Sequence, residues 1–381
     1  MEEKLRNKKI NMIKSTLDRA YVSAEVLAQP PNLAVGVSDV CDIKCTYCPR
    51  QYFKELIVNG IIKLDEFEKL IPLLETTNLA ILFGTGEPFL NRYFFDILDV
   101  CRHYGIITQT SSHGMSLNEE TCRKIIDHKL DILFISIDAP KRKLFEFLRE
   151  GAIYKEVINN IKYLQKLKKK MGSQTPEIRL AMTISKHNVE YIPAMMKLAK
   201  KLDAKFIDYC NLVIVDKNNV SLDVSSTDYF NKMLDKAKKL SEKYGIQMTI
   251  TKQKPFPWEK GDPSQLSGKK FGCPAAWNML LIEKDGKARP CCFTEEPYGN
   301  VYDDDILSIM NSEKAINFRK QILEGNPPDC CVGCGLLTEI SDNYRRSIFN
   351  QVQSEIDRSE LNDIDKTELK NILEKYKLAT D

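Results

Sequence analysis

Between residues 31 and 250, short aliphatic and β-branched runs alternate with longer stretches in which apolar residues recur every three or four positions. The short runs are LAVGV (33–37), LAILFG (79–84), IITQTSS (106–112), DILFISI (131–137), EIRLAMTI (177–184) and KFIDYC (205–210). Their length and composition predict strands. The stretches between them, such as RYFFDILDVCRHYG and YKEVINNIKYLQKLKKK, predict amphipathic helices. Several open on Asn, Asp or Thr suited to capping, and two close on Tyr-Gly. Strands alternating with helices imply an α/β fold with a parallel sheet and right-handed crossovers. Six such units fall short of a closed eight-fold barrel, so the expected architecture is a partial (β/α)6 TIM-like barrel, with IQMTIT (246–251) as a candidate extra strand. Chemistry in such folds gathers at the carboxyl ends of the strands.

Beyond residue 251 the pattern changes. KQKPFPWEKGDPSQLSGKKFG (252–272), rich in Pro, Gly and Lys, reads as a linker. WNMLLIEKDGKARPCCF then reads as two strands joined by a Lys-Asp-Gly-Lys turn, and ILSIMNSEKAINFRKQILEG as one helix. The expected organisation is a helical extension (1–30), the partial barrel (31–252), a small β-hairpin and helix domain (253–337) and a C-terminal helix (338–381).

Composition narrows the class. The 381 residues are 43% hydrophobic and 29% charged, as in a folded globular protein. The 56 basic and 53 acidic residues leave a formal charge of +3, too little to recruit nucleic acid or an anionic membrane by field alone. The lysine run at 163–172 carries leucines at helical spacing and reads as the solvated end of a helix. The amino-terminal residues lack a secretory pattern, and no stretch approaches the length of a membrane span. The expected location is cytoplasmic.

Twelve cysteines in a reducing compartment point to metal or redox duty rather than disulfides. Three lie at 41–48 and six at 273–334, while Cys101, Cys122 and Cys210 stand apart on apolar patterns and read as small buried hydrophobes. Cys41, Cys45 and Cys48, at i, i+4 and i+7, can turn three thiolates toward one point. Zinc would need a fourth ligand, for which His103 or His113 would have to serve. A [4Fe-4S] cluster held by three cysteines keeps one iron open.

CDIKCTYC, with Tyr47 before the third cysteine, resembles the signature of radical S-adenosylmethionine (SAM) enzymes. The resemblance implies a [4Fe-4S] cluster whose open iron chelates the amino and carboxylate groups of SAM. Reductive cleavage then gives methionine and a 5′-deoxyadenosyl radical that abstracts hydrogen from a substrate. GTGEP is similar to the family's Gly-Gly-Glu-Pro stretch, with Thr85 in place of the first of those glycines. It implies that Gly84, Thr85, Gly86 and Glu87 hold the SAM ammonium group. SIDAP resembles the Ser-Ile-Asp segment and makes Ser136 a polar contact for SAM. SSHGM aligns with a Thr-Asn-Gly segment in which His113 replaces the asparagine, and Arg179 is a candidate for the SAM carboxylate. No residue is singled out as catalytic.

Cys273, Gly286, Cys291 and the Cys331–Cys334 pair are similar to the auxiliary-cluster domain of the family, called SPASM in its two-cluster form and Twitch in its one-cluster form. No cysteine follows Cys334, so one auxiliary [4Fe-4S] cluster on Cys273, Cys291, Cys331 and Cys334 is expected. The doublets at 291–292 and 330–331 leave that set ambiguous by one residue, and four thiolates would also suit zinc. The implied activity is an oxidoreductase-type reaction served by an external donor such as flavodoxin or ferredoxin. The expected substrate is a small polar, sugar- or cyclitol-like molecule that is oxidised or epimerised; modification of a peptide or protein is the alternative. A reading of another class is a non-catalytic iron–sulfur or zinc protein.

Overall fold

The computed structural model describes residues 3–52, 60–213, 221–251, 269–294, 296–332 and 334–379. By contacts the chain divides into two compact units, one of residues 36–64 and 81–259, the other of residues 1–35, 65–80 and 260–381.

The first unit is built on the parallel strands expected. Leu79–Phe83, whose last residues belong here, leads in sheet order to Ile107–Ser112, Ile132–Ser136, Glu177–Ile184, Phe206–Asn211 and Gln247–Thr251. The candidate extra strand at 246–251 is thus present, paired in parallel with Phe206–Asn211. Alternation along the strands sorts the faces. Leu133, Ile135, Leu180, Met182, Ile207 and Tyr209 are fully buried, and the Tyr209 hydroxyl donates to the Ile192 carbonyl of the helix Ile192–Lys201. The opposite face, by register, carries Ser136 beside Ala181, and Ala181 beside Asp208. The helices begin where the sequence provides caps: Asn118 accepts from the Thr121 amide and Thr227 from the Phe230 amide. The helix Asp228–Tyr244 ends on Gly245 at φ +63°, a left-handed geometry suited to glycine. This is the α/β, partial-barrel fold that the sequence predicted.

In the second unit, Asn32–Gly36 pairs in parallel with Met279–Ile282, which pairs antiparallel with Lys287–Arg289. The hairpin turn of the sequence reading is therefore formed, and a third short strand, Gly299–Asn300, pairs on the far side of Lys287–Arg289. Most of the expected linker lies outside the described residues, but Phe271–Gly272 at its end pairs antiparallel with Thr338–Glu339. Three expectations need correction. The stretch 65–77 forms two short helices, Leu64–Glu68 and Ile71–Leu74, the second beginning around Pro72, which lacks an amide to continue the first. The helix expected at 306–325 is split into Ile306–Met310 and Glu313–Leu323, because Ser312 caps the second by accepting from the Ala315 amide. The single C-terminal helix is two, Asp342–Arg358 and Asp363–Leu378, the second capped by Asn362. Their apolar faces form a core with the helix Glu3–Asp18, in which Ile13, Leu17, Ile348, Val352, Ile356 and Leu373 are buried.

Candidate active site and auxiliary thiol cluster

The loop that follows Gly36 carries the three amino-terminal thiols. It is held by Lys44–Cys45, which pairs antiparallel with Arg149–Glu150, and by the Thr46 amide donating to the Leu148 carbonyl. Cys41, Cys45 and Cys48 line one cavity of about 170 Å³ with Gly84, Thr85, Gly86, Glu87, Ser112, His113, Ser136 and Arg149. Three thiols and one carboxylate converging on a space walled by glycine backbone suit an open cluster with a small polar ligand. Burial pushes the Cys45 thiol up to about 11 and raises Cys41 as well. Conversion to thiolate needs positive charge nearby, which a cluster supplies on binding.

Glu87 is 2% exposed and tightly fixed. Its Oε1 accepts from the Ser112 hydroxyl at 2.8 Å and its Oε2 from the His113 amide at 3.0 Å. Burial raises its pKa, while these two donors oppose the shift. A carboxylate so placed gains from a cation, such as the ammonium group of SAM. The glycines beside it are demanded by backbone approach: a Cβ on Gly86 would lie 2.2 Å from the Val40 carbonyl oxygen, and one on Gly84 would lie 1.8 Å from that of Ser38. Thr85, between them, also lines the cavity and donates its hydroxyl to Asp39 at 2.9 Å.

Two expected site residues are placed elsewhere in their surroundings. Arg179 does not line the cavity; it pairs with Glu177 at 2.6 Å and lies over the rings of Phe134 and Phe206. Tyr47 is turned toward the end of the strand Glu177–Ile184, where its hydroxyl meets Ser185 at 3.1 Å and the Nδ1 of His187, whose ring stacks on it.

Sequence reasoning missed Arg149, the arginine that does line the cavity. Its Nη1 is 3.8 Å from the Cys45 sulfur, and its Nε lies 2.8 Å from Asp138 Oδ2 at an angle that makes an ion pair rather than a hydrogen bond. Its sequence context, LREG, reads only as a helix end. His113 also gains a definite place. Among the described residues its ring, Asp42 and Cys41 bring ligand atoms within 4.8 Å of one another, the arrangement a fourth zinc ligand would need. The ring is already engaged. Nδ1 accepts from the Met115 amide at 3.0 Å, which leaves the proton on Nε2, 2.8 Å from Asp42 and 3.3 Å from Glu87. With no lone pair to offer, His113 as placed cannot complete a zinc site. His103, on the helix Phe94–His103, does not line the cavity.

The other thiol group lies in the second unit. Cys273 precedes the helix Pro274–Asn278 and is buried, as is Cys331, whose sulfur is 3.8 Å from that of Cys330. Burial, and then the surrounding thiols, raise Cys273 and push Cys291 up to about 12. The Cys331 thiol is raised first by its bond to Cys330, then by burial and by Cys273 and Cys291. Cys273, Cys291, Cys330 and Cys331 thus feel one another's charge, and Cys334 acts on Cys273 in the same way. Cys292 is exposed. Gly286 turns the hairpin at φ +82°, where a Cβ would strike the Asn300 side chain at 2.2 Å. Of the isolated cysteines, Cys101 and Cys122 are fully buried, whereas Cys210 is half-buried and meets the Asp208 carboxylate at 3.2 Å.

Residues 35–207 match the model of the radical SAM superfamily, and residues 273–335 match that of an iron–sulfur cluster-binding domain, SPASM. The chain is similar to the tungsten-containing aldehyde ferredoxin oxidoreductase cofactor-modifying protein of Pyrococcus furiosus, 20% identical over 50% of this chain and 53% of that protein, about half its length. It is also similar to Fe-coproporphyrin III synthase of Methanosarcina barkeri, 24% identical over 80% of each chain. In fold it resembles Streptococcus suis SuiB bound to the precursor peptide SuiA, with a TM-score of 0.61 at 15% identity, covering 80% of this chain and 72% of that one. It resembles anSMEcpe with bound AdoMet at a TM-score of 0.58 and 18% identity, covering 92% and 98%. The three-thiol loop, the strand-end carboxylate and these matches together make the chain a radical SAM protein with a C-terminal SPASM domain, a membership that implies a SAM-binding [4Fe-4S] cluster and an auxiliary cluster.

Proposed function

We propose that this chain is a radical SAM enzyme that acts on a peptide or protein segment. The observation that carries the enzymatic reading is the convergence of Cys41, Cys45, Cys48 and Glu87 on one glycine-walled cavity in a single unit of the fold. Three thiolates would hold the cluster there. Glu87 would take the SAM ammonium group, and Gly84, Thr85, Gly86 and Ser136 would line the rest of the SAM site. Arg149 replaces Arg179 as the candidate for the SAM carboxylate, being the arginine that faces the cavity. The chemistry such a cluster supplies with SAM bound is reductive cleavage to methionine and a 5′-deoxyadenosyl radical. The protein's own part is to fix SAM and exclude water.

Residues 31–252 would form the catalytic part and 253–337 the auxiliary part, with Cys273, Cys291, Cys331 and Cys334 as ligands. Cys291 is favoured over Cys292 because Cys292 is exposed and Cys291 interacts with Cys273. A net oxidation served by a cytoplasmic flavodoxin or ferredoxin fits this pair of sites.

The sugar- or cyclitol-like substrate expected from the sequence finds no support among the relatives. Peptide modification is favoured by solved neighbours with bound peptides, SuiA on SuiB and Kp18Cys on anSMEcpe. A second reading, action on an iron porphyrin, is favoured by the coproporphyrin and heme synthases of Methanosarcina barkeri, each 24% identical over 80% of this chain. Incubation of the anaerobically reconstituted protein with SAM, dithionite and either peptides encoded beside its gene or Fe-coproporphyrin, followed by mass spectrometry, separates them. A modified peptide supports the proposal; a changed porphyrin with untouched peptides refutes it.

A further inference from the structure

We propose that His113 is a positioning residue: its turn sets the Glu87 carboxylate through the backbone, and its Nε2–H ties Asp42 of the thiol loop to that turn, so that Glu87 stays placed for the ammonium group of SAM. This rests on the role given above to Glu87.

The device is local. Gly114 adopts φ +84°, a conformation open to glycine at little cost, and the turn it makes brings the Met115 amide back onto His113 Nδ1 at 3.0 Å. That bond decides the tautomer, since an Nδ1 that accepts carries no proton. The Nε2–H then bonds Asp42 Oδ1 at 2.8 Å, while Glu87 Oε2 lies 3.3 Å from Nε2 without hydrogen-bond geometry. The same residue's amide donates to Glu87 Oε2, and the neighbouring Ser112 hydroxyl holds Oε1. Ser112 is itself held by the Gly114 amide at 2.9 Å. One four-residue turn therefore sets both oxygens of a carboxylate that is 2% exposed. Asp42, adjacent in sequence to Cys41, anchors the far side of the ring, so the carboxylate and the thiol loop share one connection.

The test uses the full chain, reconstituted anaerobically, with three variants. His113→Leu removes the donor, His113→Gln offers an amide N–H near the position of Nε2, and Glu87→Gln removes the charge. SAM affinity is measured by calorimetry. Iron content and the electron paramagnetic resonance spectrum of the reduced protein are recorded with and without SAM. The proposal predicts at least about tenfold weaker SAM binding in H113L, which loses the hydrogen bond that ties the charged Asp42 to the turn holding Glu87. Iron content and the SAM-free spectrum should match wild type, and H113Q should bind within a few-fold of it. Unchanged SAM affinity in H113L overturns the proposal, and so does loss of iron from that variant, which would make the ring a ligand. Should H113L fail to fold, H113Q decides: a folded, iron-replete H113Q with tenfold weaker binding contradicts a donor role. Unchanged affinity in E87Q removes the underlying role of Glu87, a failure separate from that of His113.

Discussion

Gly86 and Gly84 hold the site's wall against the loop of Ser38 and Val40 by having no side chain at all. The Gly86 amide donates to the Ser38 carbonyl at 3.0 Å and the Glu87 amide to that of Val40 at 2.7 Å. A methyl group on Gly86 meets Val40 backbone on three atoms within 2.6 Å, and backbone cannot swing aside as a flexible side chain can. Gly86→Ala should therefore destabilise the protein by about 2 kcal/mol or more in urea denaturation; a wild-type midpoint would show that the two segments do not meet as described. At this scale spacing exposed the thiol triad, and the family resemblance pointed to GTGEP and Ser136, which line the same cavity. The sequence misplaced Arg179, because a cation on a strand says nothing about which neighbour claims it, and Glu177 two residues away does so. It hid Arg149, whose place depends on a pairing between residues about a hundred positions apart.

Loops between elements are pinned by buried amides that no periodicity reveals. Asn188, fully buried, accepts from the Ser185 amide at 2.7 Å and donates to the carbonyls of Asp138 and Thr183. It joins the ends of two strands, and Asp138 in turn holds Arg149. Asn188→Ala leaves these buried backbone groups unpaired and should cost about 1–3 kcal/mol, with weaker SAM binding as Asp138 and Arg149 shift. A variant as stable as wild type in chemical denaturation would contradict this. The helix Glu3–Asp18 ends on a different device, a buried carboxylate accepting from the amides of Leu27 and Ala28. Burial raises Asp18 from 3.8 to about 7, against the pull of those amides. Its folded pKa lies above the unfolded one, so its contribution to stability is full below about pH 4 and is lost as pH rises through about 7. Asp18→Asn, which keeps an acceptor and cannot ionise, should flatten the fall of the thermal midpoint across that window; an unaltered pH profile would contradict the assignment. Elements themselves were legible where period and caps agreed, as at Asn118 and Thr227. They were misjudged where a polar residue inside an apolar pattern turned out to be a cap, as at Ser312 and Asn362.

For the whole molecule, the sequence announced two thiol groups, and the structure places them in separate compact units. The α/β alternation made the fold class legible because each unit of it obeys a local rule. The grouping of residues 1–35 and 65–80 with the C-terminal part was not legible, since it arises from strand pairing such as that of Asn32–Gly36 with Met279–Ile282. If both groups bind [4Fe-4S] clusters, the reconstituted protein should hold about eight iron atoms per chain, and a variant with Cys41, Cys45 and Cys48 all changed to Ala about four. The most direct test is release of 5′-deoxyadenosine when that reconstituted protein meets SAM and dithionite without oxygen. Release by the wild-type chain, and none by Cys45→Ala, is what the account predicts. Zinc in place of iron at the amino-terminal thiols, with no 5′-deoxyadenosine from the wild-type chain, would contradict it.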